Sequence, residues 1–85
     1  GIAGTILDSV GNPVAGVTVK ISTGTKVLGI VTTDEDGWYQ FVYKYTGKAT
    51  NFTVEASYGT WTQTKQVTLK SNGYVEVDFT IPRPA

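Results

Sequence analysis

The chain has 85 residues, seven basic and seven acidic, with no cysteine and no histidine. This length supports one domain with a modest core, and the composition excludes disulfides and a Cys/His zinc site. The lysines are scattered along the chain, which argues against nucleic acid as a partner. No apolar run approaches the roughly 20 residues of a membrane helix, so we expect no membrane insertion.

Four strands, separated by turns rich in Gly, Asn, Asp and Pro, are predicted in the first half of the chain. The first covers Ile2–Leu7 and ends at a turn over Asp8–Pro13. The second opens at Gly16, and the third and fourth cover Val27–Thr33 and Trp38–Lys44. Alternation of apolar and polar residues gives the second strand a buried aliphatic face. Its inward residues are Val17, Val19 and Ile21.

The inward faces of the third and fourth strands are less clear from the sequence than that of the second. Both alternating sets of the third strand are apolar, so its inward face stays open. The acidic turn Asp34–Gly37 precedes the fourth strand, whose aromatic set is predicted to face inward: Tyr39, Phe41 and Tyr43. This assignment leaves Trp38 as the outward-facing large aromatic residue.

Three more strands are predicted in the second half. Phe52, Val54 and Ala56 face inward on the fifth, and the sixth covers Thr60–Leu69. Ser71-Asn72-Gly73 predicts a hairpin turn. The last strand alternates cleanly, with its inward residues at Val75, Val77, Phe79 and Ile81. Residues 1–81 therefore form a single domain, and 82–85 form a Pro-rich linker, because Pro cannot extend a ladder.

Seven short strands closed by turns predict an all-β sandwich or barrel. Three segments in phase then narrow the prediction: Ile2–Asp8, Gly11–Val19 and Thr32–Phe41. They follow roughly the pattern G-x-V-x-D-x-x-G-x-P-(V/L)-x-G-x-x-V, then T-(T/D)-x-x-G-x-(Y/F)-x-F, with Ile6 at the first Val position, and so resemble the carboxypeptidase regulatory-like domains. The resemblance implies a seven-stranded Greek-key β-sandwich like that of transthyretin (prealbumin), which is also similar to the collagen-adhesin B-type repeats.

The resemblance implies a supporting role. Such domains look like accessory attachments that space, stabilise or dock their neighbours in secreted and surface proteins. The chain has no His or Cys to activate a nucleophile, so the sequence also predicts that it is not an enzyme.

Two ligand classes are weighed as candidates for this chain. Carboxylates of Asp34 and Asp36, with Asp8, could offer oxygens to calcium. The competing interpretation is a turn whose carboxylates accept backbone N–H groups, so no cofactor is the main expectation. A sugar ligand needs exposed aromatic faces, and the candidates for ligand contact are Trp38 and Tyr45.

The sequence therefore predicts an accessory module of a larger secreted or cell-surface protein. The alternatives are a carbohydrate-binding module and a stalk repeat of a surface adhesin. The expected partners are neighbouring domains of the parent chain, and a polysaccharide or a surface protein under the alternatives. An N-terminal Gly1 suggests a fragment, and fourteen threonines with few charges suit an extracellular prokaryotic location. The isolated domain is expected to be a monomer.

Overall fold

The computed structural model describes residues 1–85 as two β-sheets packed face to face. The strands are β1 (Ile2–Leu7), β2 (Thr18–Thr23), β3 (Lys26–Thr32), β4 (Trp38–Phe41), β5 (Thr50–Tyr58), β6 (Trp61–Leu69), β7 (Val75–Glu76) and β8 (Phe79–Thr80). The predicted all-β sandwich is confirmed. The chain contains no helix of the length and apolarity needed to cross a membrane.

One sheet has the order β3-β2-β5-β6 and is antiparallel throughout, and we call it the antiparallel sheet. Its inner face supplies much of a core of fourteen buried apolar side chains. The inward residues predicted on the second and fifth strands all belong to that core: Val17, Val19, Ile21, Phe52, Val54 and Ala56. Strict alternation was therefore a reliable guide on these two strands.

Strand β3 contains a β-bulge, which explains why its buried face could not be read from the sequence. Its register against β2 is regular from Thr32 to Gly29 and then shifts, so that Leu28 is an extra residue. An extra residue reverses the alternation of inward and outward positions. The half-buried positions of β3 are Leu28, Gly29 and Val31. Both Val27 and Ile30 are exposed.

The other sheet, which we call the mixed sheet, is built around β1. Strand β4 pairs with it antiparallel, while β7 and β8 pair with it parallel. The prediction that Ser71–Gly73 joins two paired strands as a hairpin is wrong. A turn does form, with Asn72 at φ 56° and the Gly73 N–H donating to Lys70 O over 2.8 Å. However, the chain then crosses to the opposite sheet and pairs with β1 rather than with β6.

The last predicted strand is split into β7 and β8, although its register against β1 is the same on both sides of the interruption. At the interruption, the Val77 carbonyl accepts a hydrogen bond from the Tyr39 hydroxyl. The Thr5 N–H, which would otherwise donate to this carbonyl, donates instead to Asp78 Oδ1 over 2.8 Å. Gly4 makes this possible, because a Cβ there would collide with Val77 O.

The fourth strand is shorter than predicted and ends at Phe41 rather than Lys44. Tyr39 is fully buried as expected, but Phe41 and Tyr43 are only half-buried and pack at the margin of the core. Their position follows from the loss of a strand partner after Phe41. The backbone from Val42 to Tyr45 belongs to neither sheet.

The two chain ends lie at opposite ends of β1. The Val75 N–H donates to Gly1 O at one end, and the Ile81 N–H donates to Leu7 O at the other. Residues 82–85 lie beside the Asp8–Pro13 turn, where the Arg83 carbonyl accepts a hydrogen bond from the Ser9 N–H over 3.4 Å. Their role as a linker between domains remains a prediction.

Candidate functional site

An open pocket of about 340 Å³ lies at the end of the sandwich where the chain begins. Three pieces of chain line it: the N-terminus, the segment Gln40–Lys44, and the turn Asn72–Tyr74. Two of its apolar side chains are unusually open to solvent, with Val42 81% exposed and Tyr74 59% exposed. It is the larger of the two hollows in the structure and the best candidate for a binding site.

The exposure of the pocket walls follows from local sequence. Val42 continues the outward parity of β4 beyond the end of the strand, where no neighbouring chain covers it. Tyr74 follows the Ser71–Gly73 turn and precedes β7, so it stands at the corner where the chain changes sheets. A second hollow of about 260 Å³ lies against Tyr74 on the side of β6. Tyr74 therefore lines both pockets and lies between them.

Aromatic rings support the pocket floor. Phe41 and Tyr43 stack with ring centroids 5.6 Å apart, and Tyr43 stacks on Tyr45 at 6.5 Å. Phe52 of β5 meets the edges of Tyr43 and Tyr45 at 6.1 and 5.4 Å. Offset and edge-to-face contacts at these spacings are favourable. The stack holds the unpaired segment after β4 against the core.

Backbone hydrogen bonds hold the pocket walls together. The Gly1 ammonium donates to Gly73 O over 2.7 Å and to Tyr43 O over 3.2 Å. The Asn72 N–H donates to Tyr45 O over 2.7 Å. The N-terminus thus bridges the segment after β4 and the turn before β7. Hydrogen bonds therefore fix this end of the molecule, although it lies outside the regular strands.

The two residues predicted to contact a ligand are not in this pocket. Trp38 is half-buried and sits opposite Thr5 on the mixed sheet. Tyr45 is also half-buried, and its hydroxyl bonds to Lys48 O and to Thr50 Oγ1, so it stabilises the following loop. Parity predicts that Trp38 is the outward-facing large aromatic residue, whereas the most exposed aromatic side chain in the structure is Tyr74. The signal for Tyr74 was its place directly after a turn.

The three calcium candidates lie in two separate turns. Asp8 Oδ1 accepts N–H groups of Val10 at 3.0 Å and Asn12 at 2.9 Å. Asp34 Oδ1 accepts those of Asp36 and Trp38 at 2.9 and 3.0 Å. No three carboxylates of the chain come together in a metal-binding group. The turn-capping role is thus visible in the contacts of Asp8 and Asp34, and calcium binding stays a prediction.

Two titratable groups are shifted by their surroundings. The Asn12 N–H holds the pKa of Asp8 below its usual value, with smaller help from Ala85, Val10 and Gly11, and burial acts in the opposite direction. Burial raises the pKa of Tyr39, and the nearby charges of Asp78 and Glu76 act in the same direction. Tyr39 therefore remains a neutral hydrogen-bond donor in the core.

The sandwich of mixed and antiparallel sheets, with its parallel terminal strand, defines a transthyretin-like domain. Residues 1–82 match the carboxypeptidase regulatory-like domain, and the chain belongs to that family. The solved structure of 5-hydroxyisourate hydrolase from Klebsiella pneumoniae is similar, with a TM-score of 0.78 and 19% identity over 99% of this chain and 90% of that one. No curated protein matches the chain.

The hydrolase corrects one prediction made from the sequence. The expectation that this chain is not an enzyme is contradicted, because a protein of the same fold is named as a hydrolase. That prediction rests on the lack of His and Cys, and this lack does not exclude activity, because other residue types also serve as nucleophiles and bases. At 19% identity the likeness shows the fold alone and assigns no hydrolase activity to this chain.

Proposed function

We propose that the domain is an accessory module that separates and docks neighbouring parts of a larger secreted or cell-surface protein. Membership of the carboxypeptidase regulatory-like family supports a small accessory β-sandwich. The observation that carries the spacer role is the placement of the chain ends. Because β7 and β8 run parallel to β1, the chain enters at one end of β1 and leaves at the other.

This arrangement suits a module that transmits force along a chain. Pulling on the two termini draws β1 and the β7–β8 segment in opposite directions along their length. The hydrogen bonds between them, including Val77 N–H to Ala3 O at 2.8 Å, are then sheared together rather than opened one by one. With a longest dimension of 39 Å, the sandwich acts as a rigid spacer between the parts it joins.

Single-molecule pulling tests the proposal within one protein. We expect a high unfolding force when handles are attached at Gly1 and Ala85. A matched control attaches the second handle through Val42→Cys, which is unique because the chain has no cysteine. Ile2 is opposite Phe41, so pulling from position 42 peels β1 from β4 one pair at a time and requires less force. Equal forces in the two geometries would reject the spacer proposal.

A stalk repeat of an adhesin would use the same geometry. Tandem copies of the domain in the parent gene would favour that version, and a single copy beside an unrelated domain would favour a spacer or docking module. The secreted or surface location is part of the proposal, and it rests on the threonine-rich, weakly charged composition.

Carbohydrate binding is the second candidate, and the exposed ring of Tyr74 favours it. Sugars stack on aromatic faces, and polar groups of Gln40, Lys44 and Asn72 line the same pocket. Affinity electrophoresis on a panel of polysaccharides tests it: we expect retardation that Tyr74→Ala abolishes and Trp38→Ala leaves intact. Unchanged mobility on every polysaccharide, or loss only with Trp38→Ala, would exclude this site.

A further inference from the structure

The sheet edges differ in how well they are protected from pairing with another strand. Strand β4 is only four residues long, and β7 and β8 have two each. Strand β6 is long but polar, and its Lys65 reaches over to the Asp78 carbonyl. Short length and charged side chains are devices that prevent edge-to-edge association.

Strand β3 has weaker protection, which consists of one terminal lysine and the bulge. It is seven residues long, contains no Pro, and carries a single charge at its first residue, Lys26. Its exposed side includes Ile30 at 61% and Val27 at 51% exposure, whereas the outward residues of β2 beside it are polar. The bulge disturbs its first half only, and Gly29–Thr32 remain regular. This regular half is an apolar edge open to solvent.

Backbone groups on that edge are free to pair. The Thr33 N–H donates to Val17 O over 3.0 Å, which makes this a hydrogen-bonded pair. Bonded and non-bonded pairs alternate along an antiparallel ladder, so Val31 also bonds to β2. The N–H and C=O groups of Ile30 and Thr32 therefore point away from the sheet. Such groups recognise an extended strand of another chain.

Charges at the two ends of β3 are self-complementary. Lys26 opens the strand and makes no ion pair, since the single ion pair of the chain joins Lys20 to Glu55 at 3.4 Å. Three exposed acidic residues follow the strand after one intervening residue, Thr33: Asp34, Glu35 and Asp36. A strand that is basic at its start and acidic just past its end attracts an antiparallel copy of itself.

We propose that two copies of this chain associate through antiparallel pairing of their β3 edges. In the favoured register, Ile30 of each copy pairs with Thr32 of the other, which forms four backbone hydrogen bonds around the two-fold axis. Each Lys26 then lies beside the acidic turn of the other copy. The pairing joins the two antiparallel sheets into one eight-stranded sheet and covers both copies of Ile30.

Sedimentation equilibrium over graded concentrations tests the proposal. We expect the wild type to reach twice its monomer mass of 9.1 kDa as the concentration rises. Ile30→Lys places like charges close together across the two-fold axis and should raise the dissociation constant at least about tenfold. The matched control is Val42→Lys, since Val42 is the more exposed residue but lies at the pocket. This control should dimerise like the wild type.

Charge reversal tests the register. Lys26→Glu alone, or Asp36→Lys alone, should weaken association about three- to tenfold, because each change disrupts two symmetry-related pairs. The double variant restores opposite charges and should recover much of the loss. Asp36 is suitable because its side chain makes no hydrogen bond in the monomer, and circular dichroism of each variant confirms that the sandwich is folded.

A wild type that stays monomeric up to about 1 mM would overturn the proposal. So would a dimer that survives Ile30→Lys, or one that Val42→Lys disrupts, because the interface would then lie elsewhere. Failure of the double charge variant to recover would reject the antiparallel register. A dimer that behaves as expected would replace the sequence-based expectation of a monomer.

Discussion

The two sheets reach stability in different ways. The antiparallel sheet has long strands, and β5 and β6 alone pair over nine positions. The mixed sheet has short ladders, and at its centre two side chains, Tyr39 and Asp78, replace regular backbone pairing. A long ladder distributes its stability over many similar contacts, whereas the mixed sheet depends on a few individual residues. Substitutions should therefore be much more costly at the centre of the mixed sheet.

The largest expected effect is that of Gly4→Ala. Its Cβ would collide with the Val77 carbonyl and the Tyr39 hydroxyl, and a backbone group cannot move aside cheaply. We expect a loss of more than about 3 kcal/mol, measured by urea denaturation. Gly29→Ala in the antiparallel sheet is the control, since its Cβ meets the half-buried Phe41 ring, which can turn away. Equal losses in the two variants would argue against the contrast between the sheets.

Removing the buried hydroxyl of Tyr39 should have the next largest effect. Tyr39→Phe leaves the Val77 carbonyl without its donor in the core, at a cost of about 1–3 kcal/mol in the free energy of unfolding. Tyr58→Phe removes a hydroxyl with no hydrogen-bond partner in the structure and should be nearly neutral. A neutral Tyr39→Phe variant would show that the interruption between β7 and β8 does not need this bond.

A smaller loss is expected for Asp78→Ala. It removes the acceptor of the Thr5 N–H at an exposed position where water can substitute, so the expected cost is about 1 kcal/mol. Glu76→Ala, two residues earlier on the same exposed face, is the control and should be close to wild type. If the two variants were indistinguishable by denaturation, the Asp78 contact would contribute nothing measurable.

The pH dependence of stability should contain a contribution from Asp8. Its folded pKa lies below the unfolded value of about 3.9, so its stabilising contribution is present above that pH. The contribution is lost as the pH falls through the folded pKa. Melting temperatures between about pH 2 and pH 6 should therefore fall less steeply on the acidic side for Asp8→Asn than for the wild type. Parallel curves would mean that the turn does not hold the carboxylate as described.

The two sheets also differ in how much of their structure could be predicted from the sequence. Alternation specified the inward residues of the antiparallel sheet, such as Val19 and Val54, because regular pairing preserves the period of two. It failed on β3, where the bulge at Leu28 reverses the period, and at Ser71–Gly73, where a turn looks the same whether the next strand pairs locally or crosses over. The close approach at Gly4 depends on two strands far apart in sequence.

The candidate site was harder to predict than the fold. Parity predicts Trp38 as a ligand contact and position near a strand end predicts Tyr45, but exposure at the pocket depends on where β4 ends. Val42 is exposed to solvent because no strand pairs with the segment after Phe41. Tyr74 is exposed because it lies where the chain crosses from one sheet to the other. Both facts concern the absence of a neighbour, which a local pattern does not encode.

The most direct test of the account is the pairing of the last strand with the first. Couplings across hydrogen bonds, measured by nuclear magnetic resonance on isotopically labelled protein, should connect Val77 N to the Ala3 carbonyl and Ile81 N to the Leu7 carbonyl. These signals would establish parallel pairing and chain ends at opposite poles. Couplings from the last strand to β6, as a hairpin at Ser71–Gly73 would give, would contradict both the topology and the spacer function built on it.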